Sequence, residues 1–317
     1  MIEIRKVGIV GIGNVGATIA YTLMESKMFS EMVLIDVNKE KAYGEAMDLN
    51  HCLPFISPMQ IYSGDYEDLE GAGIIIIAAG VSQKPGETRI DLVQRNTTVL
   101  RSIVDRITAV NKDCILLMVS NPVDILTYVT LKLSGFPANR VIGSGTVLDT
   151  ARLKFLVGEK LDVDYRNVHS FIIGEHGDSE LAVWSGANVS GINLEDYCPI
   201  CSRCGGMDEL YSLHNYVKNS AYEIIKGKGS TYYAIAQATK RIVEAIVRDE
   251  NAILPVSTYL DGHYGLNDIC MSIPAVVGRE GVKHVLDFPL SESENEALMK
   301  SAEILREVAS SLELVRV

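Results

Sequence analysis

The sequence predicts an α/β fold in which a doubly wound parallel sheet is followed by an α+β domain. Up to about residue 145, short apolar runs alternate with amphipathic stretches that are long enough to return each strand parallel to the one before. Beyond that point the alternation stops, and helical stretches and paired strands follow without it. We therefore expect two domains, at residues 1–145 and 146–317.

The individual elements follow from the same periodicities. In the first half we predict strands at 7–10, 32–35, 60–63, 74–79, 114–119 and 141–142, separated by helices at 14–28, 39–50, 88–110 and 122–133. In the second half we predict helices near 147–159, 207–226, 231–248 and 291–313, and strands around 168–174, 181–189, 251–260 and 269–277. Two Gly-containing segments, 261–262 and 278–281, are predicted hairpin turns.

The composition is that of a globular protein with a large core: 47% of its 317 residues are hydrophobic and 22% are charged. A formal charge of -12 opposes a nucleic-acid surface, which needs clustered cations along the phosphates. The most apolar run, at 74–79, is too short to cross a bilayer, and the first residues lack the pattern of an export signal. We expect a cytoplasmic protein that binds neither nucleic acid nor a membrane.

Three of the six cysteines, Cys198, Cys201 and Cys204, have the close spacing seen in zinc and iron–sulfur sites. A structural metal site usually needs four ligands, and the nearest spare candidates, Asp196 and His214, do not complete a familiar set. The alternatives are a reduced loop that faces solvent and an adventitious disulfide. We predict no metal at these cysteines.

A glycine-rich turn follows the first strand, where Gly11, Gly13 and Gly16 have the spacing Gly-x-Gly-x-x-Gly at the start of a helix. Such glycines let a pyrophosphate approach the backbone, and the helix N-terminus supplies free amide donors. Asp36 ends the second strand, where its carboxylate can accept ribose hydroxyls and would repel a 2′-phosphate. The pattern predicts a Rossmann-type dinucleotide-binding domain with NAD, in preference to NADP, as cofactor.

A second group of residues has the composition of a proton-transfer site. His176 lies between glycines in the run 174–178, while Asp149 and Arg152 stand three positions apart on a predicted helix. A histidine titrates near neutral pH, a buried carboxylate fixes its tautomer, and an arginine can anchor an acid substrate. A turn histidine and a surface ion pair are the alternatives. The loop at 78–89, which ends at Arg89, is either solvated or a lid with a reactive side chain.

Six ordered motifs resemble the L-lactate and malate dehydrogenase superfamily, and within it the bacterial L-lactate-type enzymes. The similarity covers essentially the whole chain. Besides the glycine turn, the motifs are Gln83-Lys84-Pro85-Gly86-Glu87-Thr88-Arg89, Ser120-Asn121-Pro122, Leu148-Asp149-Thr150-Ala151-Arg152, Gly174-Glu175-His176-Gly177-Asp178 and Lys228-Gly229-Ser230-Thr231-Tyr232-Tyr233.

This resemblance implies a role for each matching residue. His176 takes the hydroxyl proton of lactate as hydride leaves C2, and Asp149 orients it. Arg152 clamps the substrate carboxylate, and Arg89 polarises the C2 carbonyl. A cis bond is implied at Asn121-Pro122. Substrate contacts are implied for Gln83, Arg89, Asn121, Asp124, Asp149, Arg152 and Thr231. Cofactor contacts are implied for Gly11, Gly13, Val15, Gly16, Asp36, Lys41, Tyr66, Gly80, Val81, Ser102, Val119, Asn121 and Ser144.

The predicted substrate is a monocarboxylate. Gln83 occupies the position where malate dehydrogenases carry an arginine, so a second carboxylate would be buried without a partner. Thr231 is expected to line the same small pocket. We therefore expect L-lactate and pyruvate, although the L preference is implied by the resemblance alone. The alternatives are a malate or other L-2-hydroxy acid dehydrogenase and, from another class, a catalytically silent NAD-binding protein.

Regulation and assembly are also implied by the resemblance. Allosteric bacterial members bind fructose 1,6-bisphosphate through a histidine and an arginine that correspond to His169 and Lys154. Lysine keeps the positive charge of arginine but lacks its planar, two-pronged guanidinium group. We therefore expect activation with an altered affinity for the bisphosphate. Ordinary surface cations are the alternative. We expect a homotetramer, with a dimer as the alternative, acting in glycolysis and fermentation.

Overall fold

The structure is a computed structural model that describes residues 4–81 and 89–312, with side chains in the second range from Asp91 onward. The first half contains the strands β1 (Lys6–Val10), β2 (Glu31–Ile35), β3 (Gln60–Ser63), β4 (Ile74–Ile77), β5 (Ile115–Met118) and β6 (Val141–Gly143). Between them lie the helices α1 (Asn14–Ser26), α2 (Lys39–Cys52), α3 (Arg89–Val110) and α4 (Val123–Ser134). The six strands and four helices predicted for this half are confirmed.

These six strands form a parallel sheet in the order β3-β2-β1-β4-β5-β6. Its central strand β4 is Ile-Ile-Ile-Ile, and all four side chains are fully buried. A run of β-branched residues without a polar face is typical of a parallel strand that helices cover on both sides. The order reverses direction on either side of β1 and β4, which places a binding crevice at their carboxyl ends.

The second half contains the helices α5 (Val147–Leu161), α6 (Leu194–Ile200), α7 (Met207–Lys228), α8 (Tyr233–Val247) and α9 (Glu292–Ser310). Its short strands are β7 (Val168–His169), β8 (Ile172–Ile173), β9 (Leu181–Ala182), β10 (Asn188–Val189) and β11 (Ile192–Asn193), and its longer strands are β12 (Ala252–Asp261), β13 (Asn267–Gly278) and β14 (Gly281–Val285). Both predicted hairpin turns are confirmed, because β12, β13 and β14 pair antiparallel in sequence order.

The longer strands of the second half extend the first sheet, which sequence analysis did not anticipate. The order of the nine-stranded sheet is β14-β13-β12-β6-β5-β4-β1-β2-β3, and β12 joins β6 where Ser257 faces Gly143. A Cβ at Gly143 would lie 2.4 Å from Thr127 Oγ1 and 2.7 Å from the Ser257 Cβ. The missing side chain therefore lets β12 approach closely enough to pair.

Two further details differ from the predicted elements. The strands predicted at 168–174 and 181–189 are each divided into two-residue pieces that belong to separate small sheets. Helix α6 and strand β14 were not predicted. Helix α6 is only seven residues long and contains Pro199, which made its helical pattern hard to recognise in the sequence. Within the described residues, no helix combines the length and the apolar character needed to cross a membrane.

Candidate active site

The glycine turn between β1 and α1 is built for a ligand that approaches the backbone. Gly11 has φ +94° and its N–H donates to Ile35 O at 2.7 Å, while a Cβ at Gly16 would lie only 1.9 Å from Gly11 O. Among the described residues, apart from its own chain neighbours, no heavy atom lies within 4 Å of the position that a Cβ would take at Gly13. The turn is therefore tightly packed on its inner side and open on its outer side, as a pyrophosphate cradle requires.

The carboxylate of Asp36 closes the other side of this cradle. Its Oδ2 accepts the N–H of Ile12 at 2.6 Å, and its Oδ1 accepts the N–H of Asn38 at 2.9 Å. The two backbone donors hold the acid at the end of β2, beside the glycine turn. The described residues therefore fit a dinucleotide whose ribose hydroxyls reach Asp36 and whose phosphates lie on the N-terminus of α1.

Most other predicted cofactor positions lie at or near the carboxyl edge of the sheet. Gly80 and Val81 follow β4, and the Val81 N–H donates to Asn96 Oδ1 at 2.9 Å. Tyr66 is buried, and the guanidinium carbon of Arg106 lies 3.8 Å from its ring centroid. Buried Val119 and Ser144 follow β5 and β6, whereas Val15, Lys41 and Ser102 lie on α1, α2 and α3. Their contacts with a cofactor remain predictions.

The catalytic residues predicted from sequence meet beyond the carboxyl ends of β5 and β6. The Asn121-Pro122 bond after β5 is cis, as the resemblance implied. Asp149 and Arg152 lie on the first turns of α5, and His176 follows β8. His176 Nδ1 lies 2.6 Å from Asp149 Oδ2, while Arg152 Nη1 donates to Asp149 Oδ1 at 2.8 Å.

The electrostatics of this triad favour a protonated imidazole. Burial by itself lowers the pKa of His176, but the charge and hydrogen bond of Asp149 outweigh it and raise the pKa to about 9. The pKa of Asp149 is lowered, because the attraction of His176 and Arg152 exceeds the effect of its burial. Since Nδ1 is engaged by Asp149, Nε2 is the ring nitrogen left for a substrate.

Asp124 holds the segment that carries His176. Its carboxylate is 2% exposed and accepts the backbone N–H of His176 at 2.7 Å and the hydroxyl of Ser272 at 3.0 Å. Burial raises the pKa of Asp124, although these hydrogen bonds act in the opposite direction. In the structure the side chain of Asp124 fixes the backbone at His176, and the substrate contact implied for it in the sequence analysis stays a prediction.

A cavity of about 420 Å³ opens beside the triad. It contains the predicted residues Asn121, Asp149, Arg152 and His176 in its wall, and α3 and α7 close its other sides. The lining residues are Leu92, Val93, Asn121, Pro122, Asp149, Arg152, His176, Gly177, Asp178, Glu180, Val217, Lys218, Ala221 and Tyr222. A space of this size, with charged groups converging on one end, suits a small organic acid.

The described lining of the cavity lacks two of the predicted substrate residues, Asp124 and Thr231. Gln83 and the side chain of Arg89 lie outside the described part of the chain, so their roles stay predictions. Thr231 is half-buried immediately before α8 and is absent from the described lining. Of the two predicted effector residues, Lys154 is half-buried on α5 and His169 is exposed on β7.

Sequence analysis missed the contribution of α7. Lys218 Nζ donates to Asp178 O at 3.0 Å, and the Tyr222 hydroxyl lies 3.4 Å from Asp178 Oδ1. Glu180, four residues after His176, also lines the cavity. Glu180 could have been predicted from its position four residues after His176. The sequence of α7 does not indicate that this helix faces the cavity.

The cysteine question is decided in favour of a disulfide. Cys198 and Cys204 are bonded to each other, with Cα atoms 5.2 Å apart, a separation in the usual range. Cys201 is a free thiol whose Sγ lies 3.6 Å from Leu161 O. In the part of the chain described by the structure, these cysteines form no cluster that could hold a metal ion.

Comparison with known proteins identifies the family. Residues 5–143 match the model of the lactate/malate dehydrogenase NAD-binding domain, and residues 146–313 match that of the lactate/malate dehydrogenase alpha/beta C-terminal domain. The chain belongs to the lactate/malate dehydrogenase family. It is an oxidoreductase that uses NAD, and the resemblance predicted from its motifs is confirmed.

Individual relatives match along almost their entire length. An L-lactate dehydrogenase of Acetivibrio thermocellus is 57% identical over 311 residues, which are 98% of each chain. L-lactate dehydrogenase 1 of Clostridium acetobutylicum is 51% identical over 97% of this chain and 98% of its own. The crystal structure of a minor L-lactate dehydrogenase from Enterococcus mundtii superposes with a TM-score of 0.95 at 45% identity, covering 98% of this chain and 99% of that one.

Proposed function

We propose that the chain interconverts L-lactate and pyruvate, with His176 as the proton acceptor and donor. The observation that carries this proposal is the 2.6 Å contact between His176 Nδ1 and Asp149 Oδ2 at the wall of the cavity. It fixes one tautomer and one ring orientation, so that Nε2 serves the substrate. The identity of the named relatives supports the choice of lactate.

The residues of this site account for the proton that is transferred in the reaction. As the C2–H bond of lactate breaks and its electron pair leaves as hydride, the hydroxyl proton passes to His176 Nε2 and the C2=O bond forms. The nicotinamide ring of bound NAD supplies the hydride acceptor. Asp149 stabilises the resulting imidazolium. In the reverse direction His176 returns the proton to the pyruvate oxygen.

Arg152 is proposed as the anchor of the substrate carboxylate. One of its terminal nitrogens donates to Asp149, and Arg152 also lines the cavity, where its guanidinium can meet a substrate. A planar fork binds a carboxylate with two parallel hydrogen bonds, which an ammonium group cannot reproduce. Arg89 is proposed, from sequence, to complete the site by polarising the C2 carbonyl.

A steady-state NADH assay tests the proposal directly. We expect pyruvate to have a much higher kcat/KM than oxaloacetate or a branched 2-oxo acid, and Gln83→Arg to shift the preference toward oxaloacetate. His176→Ala should abolish turnover while NADH still binds. Oxaloacetate as the best substrate, or near-normal turnover without His176, would refute the respective part of the proposal.

We further propose activation by fructose 1,6-bisphosphate at Lys154 and His169. Burial lowers the pKa of Lys154, so an incoming phosphate would gain a counter-ion that is already partly desolvated. Pyruvate assays with and without the bisphosphate test this idea. Lys154→Arg should strengthen activation by restoring the fork, and an unchanged response would contradict the assignment.

The assembly and setting are proposed on the resemblance. We propose a cytoplasmic homotetramer of glycolytic fermentation, with the boundary between its NAD-binding and catalytic domains near residue 145. A bisphosphate that bridges two subunits would stabilise the tetramer by linkage. Sedimentation of the purified protein, with and without the bisphosphate, distinguishes the tetramer from the alternative dimer.

A further inference from the structure

A buried carboxylate and a buried imidazole face each other behind the catalytic histidine. Glu180 Oε1 lies 3.6 Å from His214 Nε2, and the two side chains are only 3% and 15% exposed. Within the described residues, neither atom has a hydrogen-bond partner at closer range. Buried polar atoms are normally satisfied, so this unusual pair calls for a physical account.

Glu180 also belongs to the immediate surroundings of the proton-transfer site. One ligand-type atom each from Asp149, His176 and Glu180 lie within 4.8 Å of one another, and Glu180 lines the cavity. The imidazole of His176 therefore has two acidic neighbours. Asp149 is held by Arg152 and by His176 itself, whereas the group that faces Glu180 from α7 is the imidazole of His214.

We propose that His214 keeps Glu180 ionised beside His176, and that the charge on Glu180 sets how readily His176 gives up its proton. Glu180 and His214 are thus positioning residues that act through His176, and the inference rests on the proton-transfer role proposed above for His176. Because His214 lies on α7, the pair also connects the proton affinity of the site to the placement of that helix.

The charge environment supports this assignment. The pKa of Glu180 is raised, chiefly because burial disfavours its charged form, and the nearby imidazole of His214 opposes that effect. Glu180 in turn contributes to the raised pKa of His176. The described titratable or charged groups around the two residues are Asp149 and Arg152 on α5, Asp124 on α4, Glu175 and Asp178 in the catalytic segment, and His214, Lys218 and Tyr222 on α7.

The pH dependence of pyruvate reduction tests the proposal, because this direction needs the protonated imidazole. Glu180→Gln should move the upper pH limit of kcat/KM down by about one pH unit, with little loss well below that limit. Glu223→Gln, which removes the same charge from the exposed face of α7, is the matched control and should leave the limit in place.

Two variants at His214 separate the effect of an N–H donor from that of packing. His214→Phe fills the space without a donor and should shift the limit in the same direction as Glu180→Gln. His214→Gln keeps a donor at a similar reach and should restore much of the original profile. In the Glu180→Gln background, His214→Phe should add no further shift, since the residue on which it acts is gone.

Direct titration of His176 by histidine-selective NMR distinguishes failure of this inference from failure of the proposed function. Its signal is the one lost in His176→Gln. If the pKa of His176 moves in Glu180→Gln but the rate profile does not, His176 is not the proton carrier. An unmoved pKa in a folded Glu180→Gln protein overturns the inference, as does a full His214→Phe shift in the double variant.

Discussion

Replacing Asp149 with asparagine isolates the electrostatic part of the proposed mechanism. The substitution keeps the size of a side chain that is 3% exposed and wedged between His176 and Arg152. It removes the negative charge, and an asparagine side chain can accept from Nδ1–H or donate to an unprotonated Nδ1. The imidazole then loses both its counter-ion and the constraint on its tautomer.

The expected size of the effect follows from the pKa of His176. Asp149 and its neighbours raise that pKa from 6.5 to about 9, which corresponds to about 3 kcal/mol in favour of the imidazolium. Burial acts in the opposite direction and only the smaller contributions of Asp124 and Glu180 remain, so without the Asp149 carboxylate the pKa should fall toward 6.5. At pH 7.5 the protonated fraction would then drop from nearly all to about one tenth. Protonation alone therefore costs about tenfold in rate, and the mixed tautomers add to the loss.

The assay is kcat/KM for pyruvate reduction, followed through NADH oxidation between about pH 5 and pH 10. The parent enzyme should hold its rate up to the region of the His176 pKa, about 9. Asp149→Asn should begin to lose rate near pH 6.5 and remain below the parent throughout. Glu159→Gln, at an exposed position on the same helix, is the control for a general change of charge.

Two results would refute this reasoning. An Asp149→Asn enzyme whose rate loss is the same at every pH would mean that the carboxylate only orients the ring. A descending limb that stays near pH 9 in the variant would mean that another group supplies the proton.

Three further predictions concern other parts of the structure. Gly16→Ala places a Cβ against Gly11 O and should weaken NADH binding at least about tenfold in a fluorescence titration. Unchanged affinity would mean that the cofactor does not approach the backbone of this turn closely. Arg152→Lys keeps the charge but loses the fork, so KM for pyruvate should rise about 10- to 100-fold, and an unaltered KM would exclude the clamp. The raised pKa of His176 stabilises the fold below about pH 6.5, and that contribution is lost as pH rises toward 9; thermal melts of His176→Gln should therefore show a shallower decline over this range than the parent.

The first half of the fold could be predicted because each local signal agreed with the global arrangement. Strand β4 is uniformly apolar, and the glycine turn marks the junction between β1 and α1. The second half was less predictable because strand pairing is non-local. Whether β12 forms a separate sheet or joins β6 depends on the space beside Gly143, and no periodicity in the sequence reports that space.

The candidate site shows the same division. His176, Asp149 and Arg152 were predicted because each lies in a short segment whose composition indicates chemistry. The bond from Asp124 to the His176 backbone crosses 52 positions, and the contact of His214 with Glu180 crosses from α7 to the catalytic segment. The substrate contact of Asp124 was implied by the resemblance alone, and its hydrogen bond to the His176 backbone could not be predicted because it joins segments that are distant in the sequence.

The charges around the cavity give a reason for a monoanionic substrate that is independent of Gln83. Three acids line it, Asp149, Asp178 and Glu180, and so do three cationic groups, Arg152, Lys218 and protonated His176. The described lining is therefore balanced before a substrate enters. Pyruvate adds one negative charge, which the predicted approach of Arg89 would offset. A dicarboxylate would add a second charge, and the described lining offers no further cation to meet it, at a cost of several kcal/mol in a closed site.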